Sequence, residues 1–110
     1  MIVGAGIDIV EIERLKNKPD LWKKFLSQKD FEYIGKFKDP EERVAGFWAA
    51  KEALVKAIDD KTIEFTEINV AHNENGKPYF ENVHIEGNLH LSISHERKFA
   101  VATVIWEKDK

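Results

Sequence analysis

The chain has 110 residues, 43% hydrophobic and 34% charged, which points to one globular domain over residues 1–110 and excludes a disordered polymer. A formal charge of −3 argues against a general nucleic-acid binder, and the lack of cysteine excludes disulfides and thiolate metal sites. No apolar run nears the ~20 residues a bilayer requires, and residues 2–10 are too broken by glycine and Asp8 for a signal peptide, so a cytoplasmic protein is expected.

Residues 2–9 read as a strand in which Val3, Ala5, Ile7 and Ile9 alternate with Ile2, Gly4, Gly6 and Asp8. Gly4 and Gly6 share the face of Asp8, and so little bulk there lets something else approach the backbone closely. A short helical stretch is expected at residues 10–15. Asp20 is placed to cap the next helix, whose apolar residues are Leu21, Trp22, Phe25 and Leu26. Ser27 with Asp30 three positions on resembles a capping box ahead of Phe31 and Ile34.

The clearest helix begins at Asp39-Pro40-Glu41-Glu42. Asp39 suits the N-cap, Pro40 the first helical position, and the two glutamates the positive end of the dipole. Val44, Phe47, Trp48, Leu54, Val55 and Ile58 recur at helical spacing, and Asp59-Asp60-Lys61-Thr62 is expected to end the helix.

Strand patterns follow. Ile63 and Phe65 are odd-numbered whereas Ile68 and Val70 are even, so the alternation slips near Thr66 and Glu67, a sign of a bulge or bend. Asn75-Gly76 signals a turn, and Pro78 leads into a strand expected over residues 79–85. Leu89, Leu91 and Ile93 put one apolar face on a strand and leave His90, Ser92 and Ser94 on the other. Residues 99–106 are apolar on both faces, as a central strand would be. One leading strand, then helices, then strands give an α+β domain with a mainly antiparallel sheet.

Four places could carry chemistry, each with a plainer alternative. Asp8 near the end of an apolar strand needs a cation if buried, or else caps the following helix. Glu52 lies in a stripe with Trp48 and Lys56; spacing alone favours a surface Glu52–Lys56 ion pair, worth roughly 0.3–0.5 kcal/mol, while the alanines at 49, 50 and 53 describe a close-packed face. His95 with Ser92, Ser94, Arg97 and Lys98 makes either an anion pocket or an ordinary strand end. Lys77 in Asn75-Gly76-Lys77-Pro78 is either a hairpin residue or a phosphate contact.

Taken in order, these segments resemble one family. Gly6-Ile7-Asp8-Ile9-Val10-Glu11-Ile12-Glu13-Arg14 resembles the opening motif of the holo-acyl-carrier-protein synthases, the short group of phosphopantetheinyl transferases. Ala49-Ala50-Lys51-Glu52-Ala53-Leu54-Val55-Lys56-Ala57 is similar to their second motif. Gly76-Lys77-Pro78 and His90-Leu91-Ser92-Ile93-Ser94-His95 match the third and fourth, and Ala100-Val101-Ala102-Thr103-Val104 the closing strand. Four motifs in series, spanning nearly the whole chain, are specific.

The resemblance implies transfer of the phosphopantetheine arm of coenzyme A to a serine of apo-acyl carrier protein, leaving adenosine 3′,5′-bisphosphate and supporting fatty acid biosynthesis. It implies that Asp8 and Glu52 ligate Mg²⁺, which suits hard oxygen ligands. Asp8, Glu52 and Lys56 would be the catalytic group, with Glu52 the first choice of base. Lys56, Lys77, Pro78, Ser92, Ser94 and His95 would hold coenzyme A, and Arg14, Lys23 and Lys24 would meet the acidic carrier protein. Members this short form homotrimers with active sites between subunits, in keeping with the apolar surface that a small domain leaves uncovered.

Two departures stand out. The family usually carries arginine where this chain has Phe47, and a glycine-containing turn where it has Ile58-Asp59-Asp60-Lys61-Thr62. They keep open a non-catalytic module that binds coenzyme A or a carrier protein on the same fold. A purely structural oligomer would explain the aromatics but not the ordered motifs.

Overall fold

The computed structural model describes residues 1–109. Its helical half comprises α1 (Pro19–Trp22), α2 (Gln28–Ile34) and α3 (Glu41–Ile58), preceded by strand β1 (Ile2–Glu11) and a 3₁₀ turn (Ile12–Leu15). A second 3₁₀ turn (Phe65–Glu67) leads into β2 (Asn69–His72), β3 (Pro78–Glu81), β4 (Asn88–His95) and β5 (Phe99–Glu107). The sheet order is β1-β5-β4, all antiparallel, with β2 and β3 forming a separate antiparallel pair. β5 is the central strand that its apolar run led us to expect.

Gly4 and Gly6 decide how α3 sits on this sheet. A Cβ on Gly4 would overlap the carbonyl oxygen of Ala57, and one on Gly6 the carbonyl oxygen of Ala53. The partner that approaches the glycine face is therefore the backbone of α3. Small residues complete the seam, since Ala49, Ala50 and Ala53 on the helix and Ala100, Ala102 and Val104 on β5 are all buried. Two residues along β1 match four along α3, from Gly4 beside Ala57 to Gly6 beside Ala53. Asp8 follows on the same face of β1, and its carboxylate meets Lys56 of α3.

The local boundaries follow their chemistry. Ser27 and Asp30 form the expected capping box: Ser27 Oγ accepts from the Asp30 amide at 3.1 Å, and Asp30 Oδ2 accepts from the Ser27 amide at 3.0 Å. α3 starts one residue later than expected, because the Pro40 carbonyl opens its ladder by accepting from Arg43 and Val44. It ends at Ile58 as expected, with Asp59 left-handed at φ 54°.

Three expectations are corrected. Asp20 is inside the first turn of α1, not its cap, because Pro19 occupies the first helical position; the helix is only four residues long, and Phe25 and Leu26 follow in a loop yet are buried. The slip near Thr66 is a 3₁₀ turn, so Ile63 and Phe65 precede the strand instead of belonging to it. β3 stops at Glu81, where Asn82 turns to φ 70° and its Nδ2 donates to the Glu67 carbonyl at 2.8 Å. The Asn75-Gly76 turn is present, with Gly76 at φ 85° and Asn73 Oδ1 accepting from the amides of Asn75 and Lys77.

The sheet's other face is left uncovered. Ile7 and Ile9 are each 63% exposed, and the register places Ile7 beside Thr103 and Ser92, and Ile9 beside Val101 and Ser94. Among the described residues, no helix is long and apolar enough to cross a membrane.

Candidate active site

Asp8 projects from the inner face of β1, where its half-buried carboxylate meets α3. Lys56 Nζ lies 3.2 Å from Asp8 Oδ1 and donates to the Ile7 carbonyl at 2.8 Å. Asp8 caps no helix: Glu11 is the residue before the first 3₁₀ turn, and no side-chain capping bond forms there. The lysine one turn beyond Glu52 thus serves Asp8, and the Glu52–Lys56 ion pair expected from spacing does not form.

Glu52 is half-buried and, among the described residues, its carboxylate has no hydrogen bond or ion pair. It opens onto a groove of about 440 Å³ whose other charged residues are Lys24, Lys61 and Glu64, with Val55, Ile63 and Phe65 between them. Trp48, one turn earlier, stacks on Phe25 with ring centroids 5.0 Å apart, and the Arg14 guanidinium sits 5.0 Å above the Trp48 ring. Two of the three expected carrier-facing cations, Arg14 and Lys24, therefore border this face. Lys23 is paired with exposed Asp20 at 3.8 Å.

No group of three or more His, Asp or Glu side chains suited to a metal gathers among the described residues. Asp8 and Glu52 supply carboxylate oxygens alone. Such a pair fits Mg²⁺, which commonly takes one or two carboxylates and completes its shell with phosphate and water. The unpaired Glu52 and the exposed position of the lysine on Asp8 agree with that fit.

Of the six residues expected to hold coenzyme A, four line two neighbouring depressions, while Lys56 sits at Asp8 and Ser94 lines neither. His95 Nδ1 lies 3.2 Å from Glu42 Oε2 beside a cavity of about 180 Å³, lined also by Tyr33, Arg43, Phe47, His72 and Pro78. Lys77 and Ser92 line a second, of about 320 Å³, with Pro78 common to both. The strand pleat makes the division: Ser92 and Ser94 point to the uncovered face, and His95, one residue on, points to the other. Residues consecutive in the chain thus send their side chains to opposite faces of the strand.

Phe47, standing where the family usually has arginine, is only 2% exposed and packs with Tyr33 and His72 at centroid distances of 5.7 and 5.9 Å. It is a core residue. Arg43, one turn earlier on α3, remains at the cavity, its guanidinium 3.7 Å from the centre of Phe37. His72 stacks on Tyr33 at 4.2 Å, and its buried Nδ1 has no partner among the described residues. Burial, then the Arg43 charge, push the His72 imidazole below its ordinary pKa, with Asp30 acting in the opposite sense. The second departure also has a local explanation. Asp59 adopts the left-handed conformation that favours glycine, and Asp60 Oδ1 closes the turn by accepting from the amide and hydroxyl of Thr62.

Sequence reasoning missed a buried ion pair beside this site. Lys51 is fully buried, and its ammonium donates to Asp30 Oδ2 at 2.6 Å and to the carbonyls of Phe25, Phe65 and Ile68 at 2.7–2.8 Å. Asp30 Oδ1 in turn accepts from the Val70 amide at 2.9 Å. Desolvation lowers the Lys51 pKa while Asp30 raises it. The available signal was a lysine set among buried alanines, opposite a capping-box aspartate.

A family model described as the 4′-phosphopantetheinyl transferase superfamily matches residues 4–104. The holo-(acyl-carrier-protein) synthase of Halothermothrix orenii is 43% identical, covering 98% of this chain and 99% of that protein. The enzyme of the same name from Petrotoga mobilis is 38% identical, with 96% of each covered. A crystal structure of a holo-(acyl-carrier-protein) synthase from Bacillus anthracis in complex with coenzyme A (3′,5′-ADP) superposes with a TM-score of 0.90 at 38% identity, covering 99% of both chains.

Proposed function

The chain belongs to the 4′-phosphopantetheinyl transferase superfamily, and on that premise we propose that it acts as a holo-acyl-carrier-protein synthase. It transfers the 4′-phosphopantetheine arm of coenzyme A to a serine of apo-acyl carrier protein and releases adenosine 3′,5′-bisphosphate. The observation that carries the reading is the meeting of Asp8 on β1 with Lys56 on α3, one turn from an unpaired Glu52.

Asp8 and Glu52 would hold Mg²⁺ together with the coenzyme A pyrophosphate. Bound there, the metal would neutralise charge on the reacting phosphate and orient it for in-line displacement. Lys56 exchanges its contact with Asp8 for a phosphate oxygen. Glu52 takes the proton of the incoming serine hydroxyl, directly or through water, as the serine oxygen bonds to phosphorus and the bond to the bisphosphate breaks. His95 and Pro78 hold the nucleotide end, while Ser92 and Ser94 from the other face of β4 and Lys77 from the turn before β3 also contribute. Arg14, Lys23 and Lys24 steer the acidic carrier protein toward Glu52.

Further parts of the reading concern assembly and place. Residues 1–110 form one catalytic domain, working in the cytoplasm in fatty acid biosynthesis. The uncovered face bearing Ile7, Ile9 and Val101 is occupied by further copies of this chain in a homotrimer, with active sites between subunits. Ser92 and Ser94 point to that same face, so assembly would return them to the site.

A magnesium titration tests the metal assignment. Release of adenosine 3′,5′-bisphosphate from coenzyme A and apo carrier protein should saturate with Mg²⁺ and stop on adding a chelator. Undiminished release after complete chelation would remove the metal from this mechanism.

A further inference from the structure

The ammonium of Lys51 draws together backbone and side-chain acceptors from three segments outside α3. It reaches the Phe25 carbonyl in the loop after α1, Asp30 on α2, the Phe65 carbonyl in the second 3₁₀ turn, and the Ile68 carbonyl before β2. Four acceptors for three N–H donors mean that one donor is shared, so the ammonium's hydrogen-bonding capacity is used in full. Two of these acceptors adjoin the Glu52 groove. Phe25 follows Lys24, which contributes one part of the lining, and Phe65 itself contributes another together with Glu64 and Ile63. Lys51 precedes Glu52 in the chain, so one residue of α3 fastens both walls while the next presents its carboxylate between them.

We propose that Lys51 is a positioning residue which clamps the two walls of the Glu52 groove at a fixed separation. It touches no substrate and acts through the placement of Glu52 and the neighbouring backbone. A buried charge bonded to several backbone carbonyls is costly to leave half-satisfied. The two walls therefore hold one arrangement while Lys51 is present and lose it together when the ammonium goes. The consequence for turnover rests on the reading of Glu52 above, whereas the mechanical consequence does not.

The test compares Lys51→Met with Val104→Ala, a core truncation on β5 away from the groove, at temperatures giving equal folded fractions. Hydrogen exchange is followed at the amides of Phe25, Leu26, Glu67 and Ile68, each hydrogen-bonded within its wall. In Lys51→Met these amides should exchange about ten-fold faster than in Val104→Ala, while amides of β1 and β5 differ by less than roughly two-fold. Its turnover number should also fall about ten-fold with the coenzyme A Kd unchanged, a split that loss of stability alone would not cause. Equal exchange profiles and equal turnover in the two variants would overturn the proposal.

Should Lys51→Met fail to fold, Asp30→Asn carries the test. It keeps the three carbonyl acceptors but weakens the clamp, and should show the same local pattern at smaller amplitude; unchanged exchange at both walls would overturn the proposal. If the parent protein transfers nothing, the functional reading fails while the exchange comparison still decides whether the clamp exists.

Discussion

Asp8 meets α3 from β1 whereas Glu52 is carried on α3 itself, and the two differ in their partners. Asp8 has Lys56, whereas Glu52 has no protein partner among the described residues. Because the Glu52 carboxylate makes no hydrogen bond or ion pair among the described residues, Glu52→Gln should leave the unfolding midpoint within a few degrees of the parent while abolishing transfer; thermal denaturation and a turnover assay together check this. An undiminished rate would sink the role given to Glu52. His72 offers a test of different character. Its folded-state pKa is depressed, so as pH falls through about 6.5 the unfolded chain gains a proton that the folded chain resists. Stability is therefore lost on acidification, and His72→Phe, which keeps the stack on Tyr33, should lose less between pH 7.5 and 5.5 than the parent in denaturant titrations. Equal losses would show that His72 does not contribute.

At the scale of elements, the contact between β1 and α3 sets the geometry of the site. Gly6→Ala would drive a methyl into the Ala53 carbonyl, with backbone on both sides and little freedom to yield. A loss on the order of 3 kcal/mol is expected from chemical denaturation. Gly76→Ala meets nothing within 4 Å, and its left-handed φ should cost only about 1–2 kcal/mol. Comparable losses at the two positions would contradict the close-approach account. This contact was half legible in the sequence. Two glycines on the face of Asp8 announced that something lies against the strand, and the alanines at 49, 50 and 53 marked a close-packed face of α3. No local pattern could pair the two, since the pairing links residues about fifty positions apart. Lys51 was illegible for a related reason: charge in a helix reads as surface, and its acceptors come from three other segments. β3 was overextended because its apolar alternation continues past Asn82, where one positive φ ends the strand.

At the scale of the whole molecule, the four ordered motifs made the fold class and the family readable before any coordinates, whereas the separation of His95 from Ser92 and Ser94 depends on the pleat. Their reunion in the proposed trimer depends on the uncovered sheet face. Ile9→Glu places a charge at a position 63% exposed in the single chain, so it should not impair folding. Sedimentation equilibrium should find the parent trimeric and this variant monomeric at micromolar concentration. A monomeric parent would contradict the assembly proposed here.

Transfer of the phosphopantetheine arm is the claim on which the remaining roles depend, and intact-mass spectrometry reads it without intermediaries. Apo-acyl carrier protein incubated with this enzyme, coenzyme A and Mg²⁺ should gain about 340 Da, the mass of the arm. The same mixture with Glu52→Gln should gain none. A carrier protein of unchanged mass across several apo substrates, with the enzyme folded and coenzyme A bound, would contradict the assigned reaction.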